Sequence, residues 1–211
     1  MDSHHYSVRY AVNLLAVHFA SAIFHYLPKH SIEVIAVAMY WTIDDIQRIP
    51  FTEQSTFDGP TIEGVLRKDL NSIVDGRGDV VELWSLPWVE REGFAVPQHV
   101  YQSATDYGVV KCWHLHEVHT DQFTVTRGKL QVVCVDVRSD SPTFGHVNSF
   151  VMGGQRPTLL LIPPGVMHGW KALSQPEVIV VNLQTHPYDP ADEFKFPWDC
   201  VLTEIWEPRN G

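Results

Sequence analysis

The stretch VVKCWHLHEVHTDQFTVTRGKLQVVCVDV, Val109 to Val137, decides the fold class. It holds three short runs rich in Val, Thr and aromatic residues: Val109–Trp113, Phe123–Thr126 and Leu130–Val137. Such side chains suit a pleated, half-buried surface, and none of the runs is long enough for an ordinary helix. Arg127-Gly128 separates the last two and reads as a hairpin turn, with Gly supplying positive φ at no steric cost. Working outward, Val80–Trp84, Leu159–Ile162 and Val178–Leu183 repeat the texture. Pro142, Pro157, Pro163 and Pro164 fall between runs, where a missing N–H breaks no ladder. After residue 60 no stretch keeps apolar residues at a 3.6 spacing for three turns. Regularly spaced short strands in a chain of this length predict an all-β antiparallel sandwich or small barrel.

The chain has 211 residues, enough for one large domain with its own core. Its charge, 15 − 25 = −10, comes without any Lys/Arg-rich run, which argues against nucleic acid as a partner. Cys112, Cys134 and Cys200 form neither a disulfide framework nor a CxxC site, so a reducing, cytoplasmic setting is expected. Residues 1–56 differ from the rest. Tyr10–Leu27 is mostly apolar, but Asn13, His18, Ser21 and His25 interrupt it along about half of a helical wheel, and Pro28 ends it. This reads as an amphipathic or poorly ordered N-terminal extension in preference to a membrane span or secretory leader. The domain proper is expected over 57–211.

Twelve histidines are the unusual entry in the composition. In a strand His114 and His116 share a face while Leu115 points away. Asp121 follows before the next run, and Pro163-Pro-Gly-Val-Met-His168 delivers a further imidazole from a distant turn. Imidazoles with one carboxylate suit a half-open divalent transition-metal site, of Zn, Fe, Mn or Ni. The expected ligands are therefore His114, His116, Asp121 and His168. The competing reading makes these histidines hydrogen-bonded side chains of a polar barrel interior. His119 is one residue out of phase and is left out.

As a pattern, Gly108-x5-His114-x-His116-x4-Asp121-x6-Gly128 resembles the first cupin motif, with Asp in place of Glu, and Pro163-x-Gly165-x2-His168 resembles the second. That resemblance implies a cupin jelly roll, a double-stranded β-helix. From about 62 to 200 the chain is similar to the dTDP-4-dehydrorhamnose 3,5-epimerase family. Asp75-Gly-Arg77-Gly78, Ser103-x-Thr105-x-x-Gly108 through His114, Val135 through Gly145, Pro163 through Gly169 and Tyr188-Asp-Pro190 follow that family's order. The family uses a His base, a Lys that holds the enolate oxygen and a Tyr that reprotonates carbon. His114 falls on the base, and Lys111 stands where the family has Arg. Asp121 takes the Lys position, Asn182 the Tyr position and His116 the place of a Gln. The late Asp that pairs with the base has no counterpart in the sequence reading.

Both changes at 116 and 121 run toward metal ligation. The favoured expectation is a cupin enzyme performing metal-assisted proton transfer on a keto- or hydroxy-sugar, free or nucleotide-linked. An imidazole bound to metal cannot also abstract a proton, so the alternative is a metal-free 3,5-epimerase with His114 as base and Lys111 facing the oxyanion. A non-catalytic sugar-binding cupin is the third reading. The resemblance implies that Arg77 meets a nucleotide diphosphate, that Lys111, His168, Asn182 and Tyr188 line the substrate site, and that the protein is a homodimer. Trp113 is expected in the core. Tyr188 and Trp170 are expected either to fill the core or to stack on the ligand.

Overall fold

The computed structural model describes residues 41–208. The expected amphipathic or poorly ordered stretch over Tyr10–Leu27 lies outside them. The described residues form two facing sheets. One has the order β1-β9-β8-β11-β6-β13 and the other β2-β10-β7-β12-β5. Their ranges are β1 Thr52–Glu53, β2 Leu66–Asp69, β5 His99–Asp106, β6 Val110–Leu115, β7 Asp121–Arg127, β8 Lys129–Asp136, β9 His146–Gly153, β10 Thr158–Ile162, β11 Val166–Ala172, β12 Glu177–Gln184 and β13 Phe194–Lys195. Apart from the parallel β1–β9 pair, the ladders within both sheets are antiparallel. This is the cupin jelly roll.

Strand alternation divides the side chains into an interior and two outer clusters. Val125, Leu130, Val132, Cys134, Leu160, Val178 and Val180 fill the space between the sheets. Their neighbours in sequence point outward. Val133 and Val135 meet Trp113, Leu115 and Trp206, whereas Leu159 and Leu161 meet Leu70 and Phe94. Trp113 is fully buried there, as expected. Residues 41–56, read from sequence as part of the extension, are integral to the domain. Helix α1 (Ile43–Gln47), capped by the Thr42 side chain, buries Ile46 against the Trp113 cluster, and β1 extends the first sheet.

The turn at Gly128 has the expected positive φ of 81°, but it is not a hairpin. β7 belongs to one sheet and β8 to the other, so the chain turns a corner of the sandwich. β5, β9 and β11 were not marked by composition, because Gln, Ser, Asn and His dilute their apolar pattern. β3 (Ser72–Asp75) and β4 (Gly78–Val81) form a separate hairpin, with Ile73, Val74 and Val80 exposed. Arg138, at the turn after β8, is a structural charge. Its guanidinium binds the buried Asp136 carboxylate, which also accepts from Ser141 and Thr143.

β11 lies tight against β6, with His168 opposite His114 and a register shift before Trp170. A Cβ on Gly169 would overlap Cys112 Cβ and come within 3.0 Å of the Lys111 carbonyl, so no larger residue fits without moving a strand. Gly169→Ala should therefore destabilise by about 2–3 kcal/mol, the upper part of the overpacking range. Urea unfolding measures this, and an unchanged midpoint would contradict the tight β6–β11 contact.

Candidate active site

The interior positions of five strands change from apolar to polar toward one end of the sandwich. On β12, Val178 and Val180 give way to Asn182 and Gln184. On β7, Val125 and Phe123 give way to Asp121, and β11 contributes His168. Tyr101 and Ser103 on β5 stand opposite Asn182 and Val180. His114 is on β6. The polar end closes over with the segment 116–120, a 3-10 turn (Pro190–Asp192) and β13.

Asp121 lies at the centre, 2% exposed. Its Oδ1 accepts N–H bonds from Asn182 at 2.7 Å and Gln184 at 2.8 Å. Its Oδ2 faces His168 Nε2 at 3.2 Å and His116 Nε2 at 3.4 Å. Burial opposes its charge, but His168, His116 and Gln184 outweigh that and hold the carboxyl far below its ordinary range. Burial depresses His116 to about 4, so it is neutral at neutral pH.

The outer nitrogens fix the tautomers. His116 Nδ1 is 2.7 Å from the Asp192 carbonyl, and His168 Nδ1 is 3.2 Å from the Val166 carbonyl. A carbonyl only accepts, so each Nδ1 is held as a donor there, and each Nε2 is turned toward Asp121. His119, set aside in the sequence reading, is buried in the same cluster. Its Nδ1 donates to Asp192 Oδ2 at 2.8 Å and its Nε2 accepts from Gln184 at 3.1 Å.

His114 is separate. Its ring stacks between His168 and Trp170, with centroids 6.0 and 6.2 Å away, and its Nδ1 donates to Glu193 Oε1 at 2.9 Å. Glu193 is held down at about 2, first by His114 and then by Lys195, against the opposing cost of burial. An ionised Glu193 keeps the proton on Nδ1 and leaves Nε2 free to act as a base. The four-ligand expectation is thus corrected. His116, Asp121 and His168 converge, whereas His114 belongs to a carboxylate dyad, because β13 pairs along β6 and sets Glu193 beside it.

The remaining candidates scatter. Lys111 Nζ donates to Ser103 Oγ at 3.0 Å and to the Ala104 carbonyl at 2.6 Å, tying β6 to β5. Asn182 bridges Asp121 and the Tyr101 hydroxyl. Trp170 is buried beside His114 and donates to Thr105, so it fills the core as one of its two readings had it. Tyr188 is 59% exposed on the loop after β12. Arg77 sits on the separate hairpin, its side chain 90% exposed and paired with Asp75. Sequence reading missed Glu193, Tyr101, Gln184 and Asp192. Only Tyr101 left a trace, sharing strand parity with Ser103 and Thr105.

Because Glu193 is depressed below its ordinary 4.5, the folded state binds fewer protons than the unfolded one between about pH 2 and 4.5. Stability from this group is complete above that window and is lost as pH falls through it. Glu193→Gln should flatten the acid loss of unfolding free energy there, measured by urea titration. Equal slopes for variant and parent would show that the pair does not form.

No helix among the described residues is long and apolar enough to cross a membrane. The model of the family described as dTDP-4-dehydrorhamnose 3,5-epimerase matches residues 60–208. A probable low-salt glycan biosynthesis epimerase of Haloferax volcanii is 36% identical over 143 residues, covering 66% of this chain and 90% of the relative. The spore coat polysaccharide biosynthesis protein SpsL of Bacillus subtilis is also 36% identical, over 65% of this chain and 91% of its own. Among solved structures, a dTDP sugar isomerase of Desulfovibrio desulfuricans superimposes with a TM-score of 0.61 at 29% identity, over 65% of this chain and 87% of that one. NovW, a 4-keto-6-deoxy sugar epimerase of Streptomyces spheroides, gives 0.62 at 27%, over 66% and 73%. With the fold and the family match in agreement, the chain belongs to the dTDP-4-dehydrorhamnose 3,5-epimerase family and is a sugar epimerase.

Proposed function

We propose that the protein epimerises a nucleotide-linked 4-keto-6-deoxyhexose by proton transfer at a carbon next to the ketone, with His114 as the base. The observation that carries this reading is the 2.9 Å bond between His114 Nδ1 and Glu193, which leaves Nε2 as the basic atom. A C4 ketone acidifies the hydrogens on C3 and C5. His114 Nε2 takes one, the C–H electron pair moves into the C4 oxygen as an enolate, and a second group returns a proton from the opposite face.

Tyr101 is suited to that second role. Its hydroxyl accepts from Asn182 Nδ2 at 3.0 Å, beside the position where the family carries its own tyrosine. It is 37% exposed, so a substrate can reach it. Burial first, then the charges of Asp121 and Glu193, pushes its phenol up to about 12, which keeps the proton on oxygen until an enolate carbon takes it. The ammonium of Lys111 has three N–H donors, and its bonds to β5 use two. The third is suited to a substrate oxygen.

The test uses dTDP-4-keto-6-deoxyglucose in deuterium oxide, followed by mass spectrometry and NMR. The parent protein should exchange C3, C5 or both. His114→Asn should lose exchange by a factor of about 10²–10⁴. Tyr101→Phe should retain exchange from the base side while losing inverted product. No deuterium incorporation with this substrate would reject the reading.

The exposed Ile73, Val74 and Val80 of the β3–β4 hairpin support a homodimer in which this hairpin, with Arg77, docks on a second copy. Light scattering after size exclusion should give twice the 24.0 kDa chain mass. A monomer at micromolar concentration would refute it.

A further inference from the structure

Beside the His114–Glu193 dyad lies a second chemical centre that the proton-transfer chemistry does not use. Two groups of side chains there have ligand-like spacing: His116, His119 and Asp192, and His116, Asp121 and His168. Hydrogen bonding separates them. Both oxygens of Asp192 are occupied, Oδ1 by the N–H groups of Glu117 and Val118 and Oδ2 by the N–H of His119 and its ring. Asp192 is therefore a clamp for the 117–119 backbone.

Asp121 is different. Its Oδ2 faces two imidazole nitrogens, each on a ring whose other nitrogen is held by a backbone carbonyl, of Asp192 and of Val166. Two imidazole nitrogens and a carboxylate oxygen converging on one buried point form a ligand-like set that a cation between them would satisfy. The carboxylate's demand for positive charge is visible in its surroundings. Asn182 and Gln184 both turn N–H groups to Oδ1 and leave their own buried carbonyl oxygens without a donor.

The spacing fits a small divalent ion. Ligand atoms about 2.0–2.1 Å from a tetrahedral ion lie roughly 3.3–3.4 Å from one another. The two distances from Asp121 Oδ2 are 3.2 and 3.4 Å. Imidazoles that hand their other N–H to a fixed oxygen are also the usual outer support of metal-ligating histidines. We propose that His116, His168 and Asp121 bind one divalent transition-metal ion, with a fourth position left open. His119 stays outside the set, since Gln184 engages its Nε2 and that atom is 3.9 Å from Asp121 Oδ1. Nitrogen-rich ligation with a single carboxylate favours Zn, Fe, Mn or Ni over Mg or Ca.

The part this ion plays in turnover rests on the epimerase reading. Position 121 carries an anion where the family holds its enolate with a lysine, and a bound dication restores positive charge on that side of the site. Ligand binding itself does not depend on that reading. His114 keeps its own partner, so a metal and a histidine base are compatible in this chain.

The experiment reads metal, not activity. The full chain, expressed with Zn, Fe, Mn and Ni supplied, is analysed by elemental mass spectrometry, stripped with a chelator and titrated with Co(II), whose visible bands report nitrogen ligation. About one ion per chain is expected, and His116→Gln and His168→Gln should each weaken Co(II) binding 10- to 100-fold or more. The same variants control for histidines near the N-terminus, such as His4 and His5. Circular dichroism establishes that each variant is folded, and Asp121→Asn is a third. Fewer than about 0.1 ion per folded parent chain, or Co(II) binding unchanged in folded His116→Gln and His168→Gln, overturns the site. Either result leaves deuterium exchange at His114 to be judged separately.

Discussion

A negative charge sealed inside a β-sandwich is the constraint that organises this molecule's working end. Desolvating a carboxylate costs several kcal/mol unless partners compensate for it. Around Asp121 that compensation reaches every neighbouring element. β12 supplies two amides, β11 and the 116–120 segment supply imidazoles, and the 190–192 turn holds one of those imidazoles from behind. The ordinary apolar packing of the other end, from Val125 to Val180, provides the rigid frame on which such a dense polar cluster can be held.

Two neighbouring histidines of one motif have separate partners. His114 lies on β6 and His116 just past its end, and each is turned by its outer partner: Glu193 for the first, the Asp192 carbonyl for the second. On the proposed reading, the tension between a base and a ligand at His114 therefore disappears. It was a consequence of assigning every histidine of the motif to one centre, and the partners on the far side of each ring decide otherwise.

The parts of the structure legible in sequence were those set by periodicity and local chemistry. Val132 and Val133, or Leu159 and Leu160, announce a strand with two buried faces, and Gly128 announces a turn. That His116, Asp121 and His168 converge was legible from their spacing and residue type. Glu193 was hidden because its role comes from tertiary pairing of a two-residue strand on β6, which carries no pattern of its own. Tyr101 was hidden because β5 is an edge strand diluted by Gln, Ser and Asp. His119 was dismissed by parity, but it lies beyond the end of β6, where strand alternation no longer governs direction.

Asp192 and Glu193 are consecutive residues on one short ribbon near the C-terminus, and each steadies a different histidine centre. The two centres are thereby mechanically yoked. Peeling that ribbon from β6 would release His114 Nδ1 and loosen the imidazole cage in a single motion, at the cost of a few backbone hydrogen bonds and the Asp192 clamp. Drift in this segment is accordingly constrained twice over, since no replacement of the ribbon can serve one centre while neglecting the other.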